Sequence, residues 1–183
     1  MADGAALRNF LKLADGIIVN PLLLQIKRHA DLWDSTHIAK HWKKHHPEID
    51  VSEILIRYPA GDEGEDIQCV WQQSSALIPL AREVALNVMA HVRGEQLGRV
   101  VLTRLPPGKV IYPHADTVGS YNAFYTRFHV PVQSDENVKF TCGDEWVAMR
   151  SGELWWFDYA VLHNVENRSN ADRINLIIDV RLS

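Results

Sequence analysis

Polar and apolar positions divide the chain into two textures. In the first half, apolar residues recur at helical spacing over 5–14, over 20–30 and from Leu80 to Val92. In the last of these, Leu80, Ala81, Val84, Ala85, Val88 and Met89 fall three and four apart. That spacing predicts one buried face of an amphipathic helix, which Gly94 is placed to end. Asn20-Pro21 sets a capping residue before a proline suited to the first helical position. Between these segments Glu53-Ile54-Leu55-Ile56-Arg57-Tyr58 reads as a strand that stops at Pro59.

After Gly98 the period shortens. Val100 to Leu105, Lys109 to Tyr112, Ala123 to Val132, Val138 to Cys142, Glu145 to Met149, Glu153 to Phe157 and Arg173 to Leu182 all read as short strands. Pro106-Pro107-Gly108, Gly143-Asp144 and Ser151-Gly152 supply the turns between them. Strands so closely spaced predict a sandwich or barrel, with a jelly roll as the natural candidate. The expected fold is therefore mostly β, a cupin-like double-stranded β-helix with an N-terminal helical layer shielding one sheet. No internal repeat or low-complexity tract interrupts it. A length of 183 residues suits one domain, with 1–95 as a helical and β support region and 96–183 as the jelly-roll core.

Composition narrows the partners. Apolar residues make up 46% and charged residues 23%, ordinary for a globular protein in water. A net charge of −4 gives no support to a general nucleic-acid or anionic-membrane binder. No apolar run is long enough to span a bilayer, and Met1-Ala2-Asp3-Gly4 does not open a secretion signal. The expectation is a soluble cytoplasmic protein. Cys69 and Cys142 are too few for a disulfide framework or a zinc knuckle. Reduced and buried is the preferred reading, and a single disulfide the alternative. Lys40 to His46 is basic and histidine-rich, with His41 and His45 four apart. A solvated surface is the plain reading, with a metal or phosphate site as the alternative. The acidic loop Gly61 to Asp66 lacks EF-hand spacing and reads as solvent-facing.

Candidate chemistry concentrates between His114 and Arg173. In His114-Ala115-Asp116 the outer two residues are separated by one residue, so at a strand end they point the same way. His163 lies in the apolar stretch Tyr159 to Val165, a context that favours an inward neutral imidazole. Two histidines and a carboxylate on a β framework match the facial triad that holds iron(II) with open positions. A lone His-x-Asp, or a lone apolar-context histidine, would more often be structural. Their combination with Arg173 ten residues on is more specific, because that guanidinium can grip a carboxylate in two-pronged fashion. Alternation also places Tyr125, Arg127 and His129 on one face of their strand, and Arg173 with Asn175 on one face of the last. Cations lining a barrel interior call for an anion, and a small dicarboxylate would satisfy two separated arginines. The competing reading pairs them with Asp158 or Glu153. Asp158 itself reads as a turn residue in preference to a partner of His163, and Trp155 and Trp156 as one core and one cover residue.

His114-Ala115-Asp116, Arg127-Phe128-His129-Val130-Pro131, Gly152 to Asp158, His163-Asn164-Val165 and Arg173 to Asp179 together resemble the aspartyl/asparaginyl β-hydroxylase family. Its members are iron(II)- and 2-oxoglutarate-dependent oxygenases, and the likeness covers roughly residues 98 to 182. The resemblance implies iron at His114, Asp116 and His163, and the distal carboxylate of 2-oxoglutarate on Arg173. It also implies that Arg127 and His129 contact the co-substrate near its other carboxylate. Oxidative decarboxylation of 2-oxoglutarate by O2 would then drive hydroxylation of an amino-acid, peptidyl or related small substrate. Animal members carry glycine where Asp116 stands, so their substrate is a poor guide. A carboxylate there also favours hydroxylation over halogenation, which needs a small residue to admit chloride.

Two other readings remain open at the level of sequence. A cupin metalloenzyme that does not use 2-oxoglutarate, a dioxygenase or isomerase, would have no need of Arg173, Arg127 and His129. A non-catalytic cupin ligand-binding module would have no need of an intact His114, Asp116 and His163.

Overall fold

The structure is a computed structural model, described here over residues 7–36, 50–59, 68–116 and 124–183. Lys40 to His46 and Gly61 to Asp66 lie outside the described residues. In chain order the elements are β1 (Phe10–Ala14), α1 (Asn20–Arg28), β2 (Ser52–Pro59), β3 (Cys69–Trp71), α2 (Ser74–Leu77) and α3 (Pro79–His91). There follow β4 (Gln96–Leu105), β5 (Val110–His114), β6 (Thr126–Gln133), β7 (Val138–Cys142) and β8 (Glu145–Val147). The chain closes with β9 (Leu154–Phe157), β10 (His163–Asn167) and β11 (Arg173–Arg181). Seven strands form one sheet in the order β1-β9-β6-β11-β4-β2-β3, and four form the other in the order β5-β10-β7-β8. All pairings described are antiparallel. This is the expected cupin-like double-stranded β-helix.

Alternation splits the large sheet into two faces with different duties. Ile54, Ile56, Leu102, Val130, Leu176 and Ile178 point outward and pack under Leu22 and Ile26 of α1 and Ala81, Val84, Ala85 and Val88 of α3. Each fully buried side chain there contributes about 1.5–3 kcal/mol. The turn that ends α3 is made one residue before the glycine, where Arg93 takes the left-handed conformation at φ +56°, and the Gly94 N–H closes it on the Met89 carbonyl at 2.8 Å. The opposite face turns toward the small sheet. There Phe10, Trp155 and Phe157 of the large sheet meet Phe140, Cys142 and Val165 of the small one. Trp155 sits in this core, while Trp156 covers the outer one.

Three expectations for the first half are corrected. Residues 5–14 were predicted helical, yet Phe10–Ala14 forms β1, paired with β9 through Phe10↔Phe157 and Leu11↔Trp156. The open edge of β9 and the aromatic cluster around Phe10 outweigh a weak helical preference. At α1 the cap position belongs to Val19, not Asn20, and makes no side-chain capping bond. The first half is also less purely a helical shield than expected, since β1, β2 and β3 extend the large sheet.

One glycine is fixed by geometry. Gly152 has φ +82°, and a Cβ there would fall 2.6 Å from the Ile17 carbonyl oxygen. Its N–H donates to Pro131 O and its carbonyl accepts from Ile17 N–H, both at 2.9 Å, tying the β8–β9 turn to β6 and to the entry of α1.

Leu176, fully buried between β11 and the helices, should lose about 2–5 kcal/mol of stability on Leu176→Ala. Leu11→Ala, at a position 53% exposed, should stay within about 0.5 kcal/mol of the parent. Urea denaturation with an unchanged slope measures both.

Candidate metal centre

Pairing within the small sheet places the two histidines. β10 lies between β5 and β7, and its register sets His163 opposite both His114 and Cys142. The two imidazole rings stand 4.3 Å apart between centroids. Asp116, just beyond β5, is held by its backbone N–H on Tyr159 O at 2.9 Å. Ligand atoms of His114, Asp116 and His163 all lie within 4.8 Å of one another, a spacing one ion can bridge. His163 is buried, Asp116 half-buried and His114 exposed, so the cluster faces outward on one side.

Hydrogen bonds choose the ligating nitrogen. His114 Nδ1 lies 2.8 Å from Tyr112 O, and His163 Nδ1 lies 2.9 Å from Val161 O. A carbonyl only accepts, so each Nδ1 carries the hydrogen and each Nε2 keeps its lone pair for a metal. Burial holds the His163 proton affinity below the ordinary imidazole range, against the pull of the Val161 carbonyl. A neutral ring is the form that ligates. Donor type, tautomer and spacing all fit the triad.

Behind the triad, β6 and β11 of the large sheet carry polar residues on their inward faces. Arg127 spans two carboxylates: Nε and Nη2 donate to Asp179 at 2.9 and 3.2 Å, and Nη1 donates to Asp116. Asp158 and Glu153, the partners of the competing reading, are engaged elsewhere. Asp158 accepts from Ala160 N–H at 3.1 Å as a turn residue, and Glu153 accepts from the Trp155 indole at 2.8 Å. Arg173 differs from Arg127. It is 4% exposed, its guanidinium lies 5.9 Å over the Phe140 ring, and Nη2 has no hydrogen-bond partner. Burial brings it down to about 10, so it stays charged at neutral pH. No carboxylate pairs with it among the described residues. His129, on β6, is buried nearby with Nε2 unpartnered, and Asn175 Nδ2 lies 3.0 Å from its Nδ1.

Phe140 thus lies beside Arg173, His129 and His163, Arg127 is shared between Asp116 and Asp179, and His114 completes the triad from its exposed side. Asp179 was missed as a contributor. Its signal was the alternation of β11, where Arg173, Asn175 and Asp179 share a face. Cys142, opposite His163, is buried and donates Sγ–H to Asp158 O at 3.3 Å. Burial, then the charges of Asp158 and Glu145, push its thiol up to about 11. Cys69 and Cys142 are both buried and neither is in a disulfide. A separate apolar groove of about 440 Å³, lined by Leu11, Leu13, Val92, Phe128 and Trp156 among others, lies on the outer face and shares no residue with the centre.

Fold and centre define an iron(II)- and 2-oxoglutarate-dependent hydroxylase. The chain belongs to the Aspartyl/Asparaginyl beta-hydroxylase family, whose model matches residues 65–182. No curated protein matches it by sequence. Among solved structures, HygX from Streptomyces hygroscopicus with nickel, 2-oxoglutarate and hygromycin B bound is similar at 14% identity. That likeness has a TM-score of 0.59 and covers 96% of this chain and 83% of HygX. AviO1 from Streptomyces viridochromogenes Tue57 is 15% identical with a TM-score of 0.53, covering 94% of this chain and 89% of AviO1. An oxidoreductase of the 2OG-Fe(II) oxygenase family from Burkholderia pseudomallei is 14% identical with a TM-score of 0.52, covering 73% and 68% of the respective chains. At these identities the likeness is one of fold. No helix among the described residues is long and apolar enough to cross a membrane.

His129 links this interior to stability. Burial, then the charges of Arg173, Arg127 and His163, hold its ring well below the ordinary imidazole range. Between that low value and about 6.5 the unfolded chain binds a proton that the folded chain refuses, so stability falls as pH drops. The slope from this group approaches about 1.4 kcal/mol per pH unit. Urea unfolding should weaken from about pH 6.5 to 5.5 in the parent, and less steeply in His129→Gln. Equal slopes would remove His129 as the cause.

Proposed function

We propose that His114, Asp116 and His163 hold iron(II), that Arg173 takes the distal carboxylate of 2-oxoglutarate, and that the chain acts as one oxygenase domain. The observation that carries this reading is Arg173. A buried guanidinium without a carboxylate is strongly unfavourable unless an anion completes it. Its planar fork suits a carboxylate taken two-pronged. Held there, iron(II) would activate O2 as the oxidant, with two electrons drawn from 2-oxoglutarate as it becomes succinate and carbon dioxide and two from the substrate C–H as it is hydroxylated.

The chain's own residues orient these groups. His114 and His163 present their Nε2 lone pairs, and Asp116 adds the charge that favours a divalent ion. His129 faces the same interior as Arg173 and contributes a contact to the co-substrate. Arg127 would make its contact from a guanidinium already anchored on Asp179, and its bond to Asp116 orients that carboxylate. The substrate is a small molecule or a peptidyl side chain. HygX, which shares the fold and is seen with hygromycin B, favours the small molecule.

Purified protein with iron(II), ascorbate and 2-oxoglutarate, offered a panel of amino acids, peptides and aminoglycosides, should form succinate with at least one class. His114→Ala, Asp116→Ala and His163→Ala should abolish succinate formation while circular dichroism stays at the parent's. Turnover by Asp116→Ala at the parental rate would refute the metal assignment. Arg173→Ala should raise the KM for 2-oxoglutarate about 10- to 100-fold, through loss of a charge-assisted pair, and leave iron affinity near the parent's.

A further inference from the structure

β6 and β11 run side by side with Ile177 opposite His129 and Asn175 opposite Pro131. Their inward side chains therefore interleave, and the Asn175 amide lies against the His129 ring with Nδ2 and Nδ1 3.0 Å apart. Asn175 is fully buried and His129 nearly so. Two atoms of the pair are left without partners, His129 Nε2 and Asn175 Oδ1.

An amide beside a ring nitrogen can act in two ways. Its N–H donates to a bare Nδ1, which leaves the ring hydrogen on Nε2. Turned over, its oxygen accepts from Nδ1–H, which leaves Nε2 with a lone pair. Each orientation strands one amide atom, so satisfaction within the pair does not choose between them. The surroundings do. Arg173 marks the same interior as a place for an anion, and a lone pair on Nε2 would repel it. A hydrogen on Nε2 would donate to it. The doubly protonated ring, which would donate from both nitrogens, is disfavoured by burial and by the neighbouring arginine charges. A single hydrogen must therefore be put in the right place, and an amide has no titration of its own to undo the choice.

We propose that Asn175 is a positioning residue that locks His129 in its Nε2–H tautomer, making the ring a hydrogen-bond donor to the anionic co-substrate gripped by Arg173. The choice of Nε2–H and the donor role rest on the co-substrate reading given above; that Asn175 holds the ring in a single tautomer rests on the contact alone. Residue 175 acts through His129.

Long-range proton–nitrogen correlation spectra of protein labelled with nitrogen-15 in histidine, recorded without co-substrate, read the tautomer directly in the parent. The expected spectrum has His129 protonated at Nε2 and bare at Nδ1. A proton on Nδ1 would overturn the proposal with no variant needed. Asn175→Leu should lose the single tautomer. Its dissociation constant for 2-oxoglutarate, read from the charge-transfer band of the anaerobic iron(II) complex, should weaken about tenfold. At saturating 2-oxoglutarate its kcat should remain within about twofold, whereas a general loss of structure would lower both. Unchanged tautomer and unchanged affinity in Asn175→Leu would overturn the lock. A parent with Nε2–H that binds no 2-oxoglutarate would overturn the donor role and the co-substrate reading together, and leave the lock standing.

Discussion

The centre depends on one register. β10 is hydrogen-bonded to β5 on one side and β7 on the other, and that pairing sets His163 across from His114. Side chains alternate along a strand, so a slip of one residue would turn His163 away and bring Asn164 in its place. The two carbonyls that fix the imidazole tautomers each lie two residues before their histidine, Tyr112 within β5 and Val161 in the bend that leads into β10. One pairing thus supplies both the spacing and the protonation pattern of the triad.

A second constraint is the cost of charge inside a sandwich. Arg127 and Asp179 solve it internally, with a two-pronged pair that also reaches Asp116. Arg173 leaves it unsolved within the protein. The interior therefore has a closed electrostatic end at the triad and an open one at the start of β11. The helices make this possible from the other side. They cover the outward face of the same strands so completely that the inward face is free to be polar without exposing the sheet.

How much of this could be read beforehand followed from strand length and partner. β6 and β11 are long, with one apolar and one polar face, so both the fold and the inward set of Arg127, His129, Arg173 and Asn175 were legible from alternation alone. α3 was equally plain from its periodicity. β1 was misread because its pattern suits either period, and only the edge of β9 decides. β3 is too short and β10 too polar to stand out, although β10 carries a residue of the triad. The contact between Arg127 and the carboxylates could not be foreseen, since it joins three separate parts of the chain. It makes the arginine a brace for Asp116 as much as a site for a ligand.

Cys142 sits across the ladder from His163, in the strand next to the one that carries this residue of the centre. With its proton affinity raised to about 11 and its hydrogen spent on the Asp158 carbonyl, it stays a thiol and not a thiolate. Thiolates are what oxidants attack, so this sulfur is shielded chemically as well as sterically. An enzyme that handles dioxygen beside its own cysteine can in this way survive its own turnover.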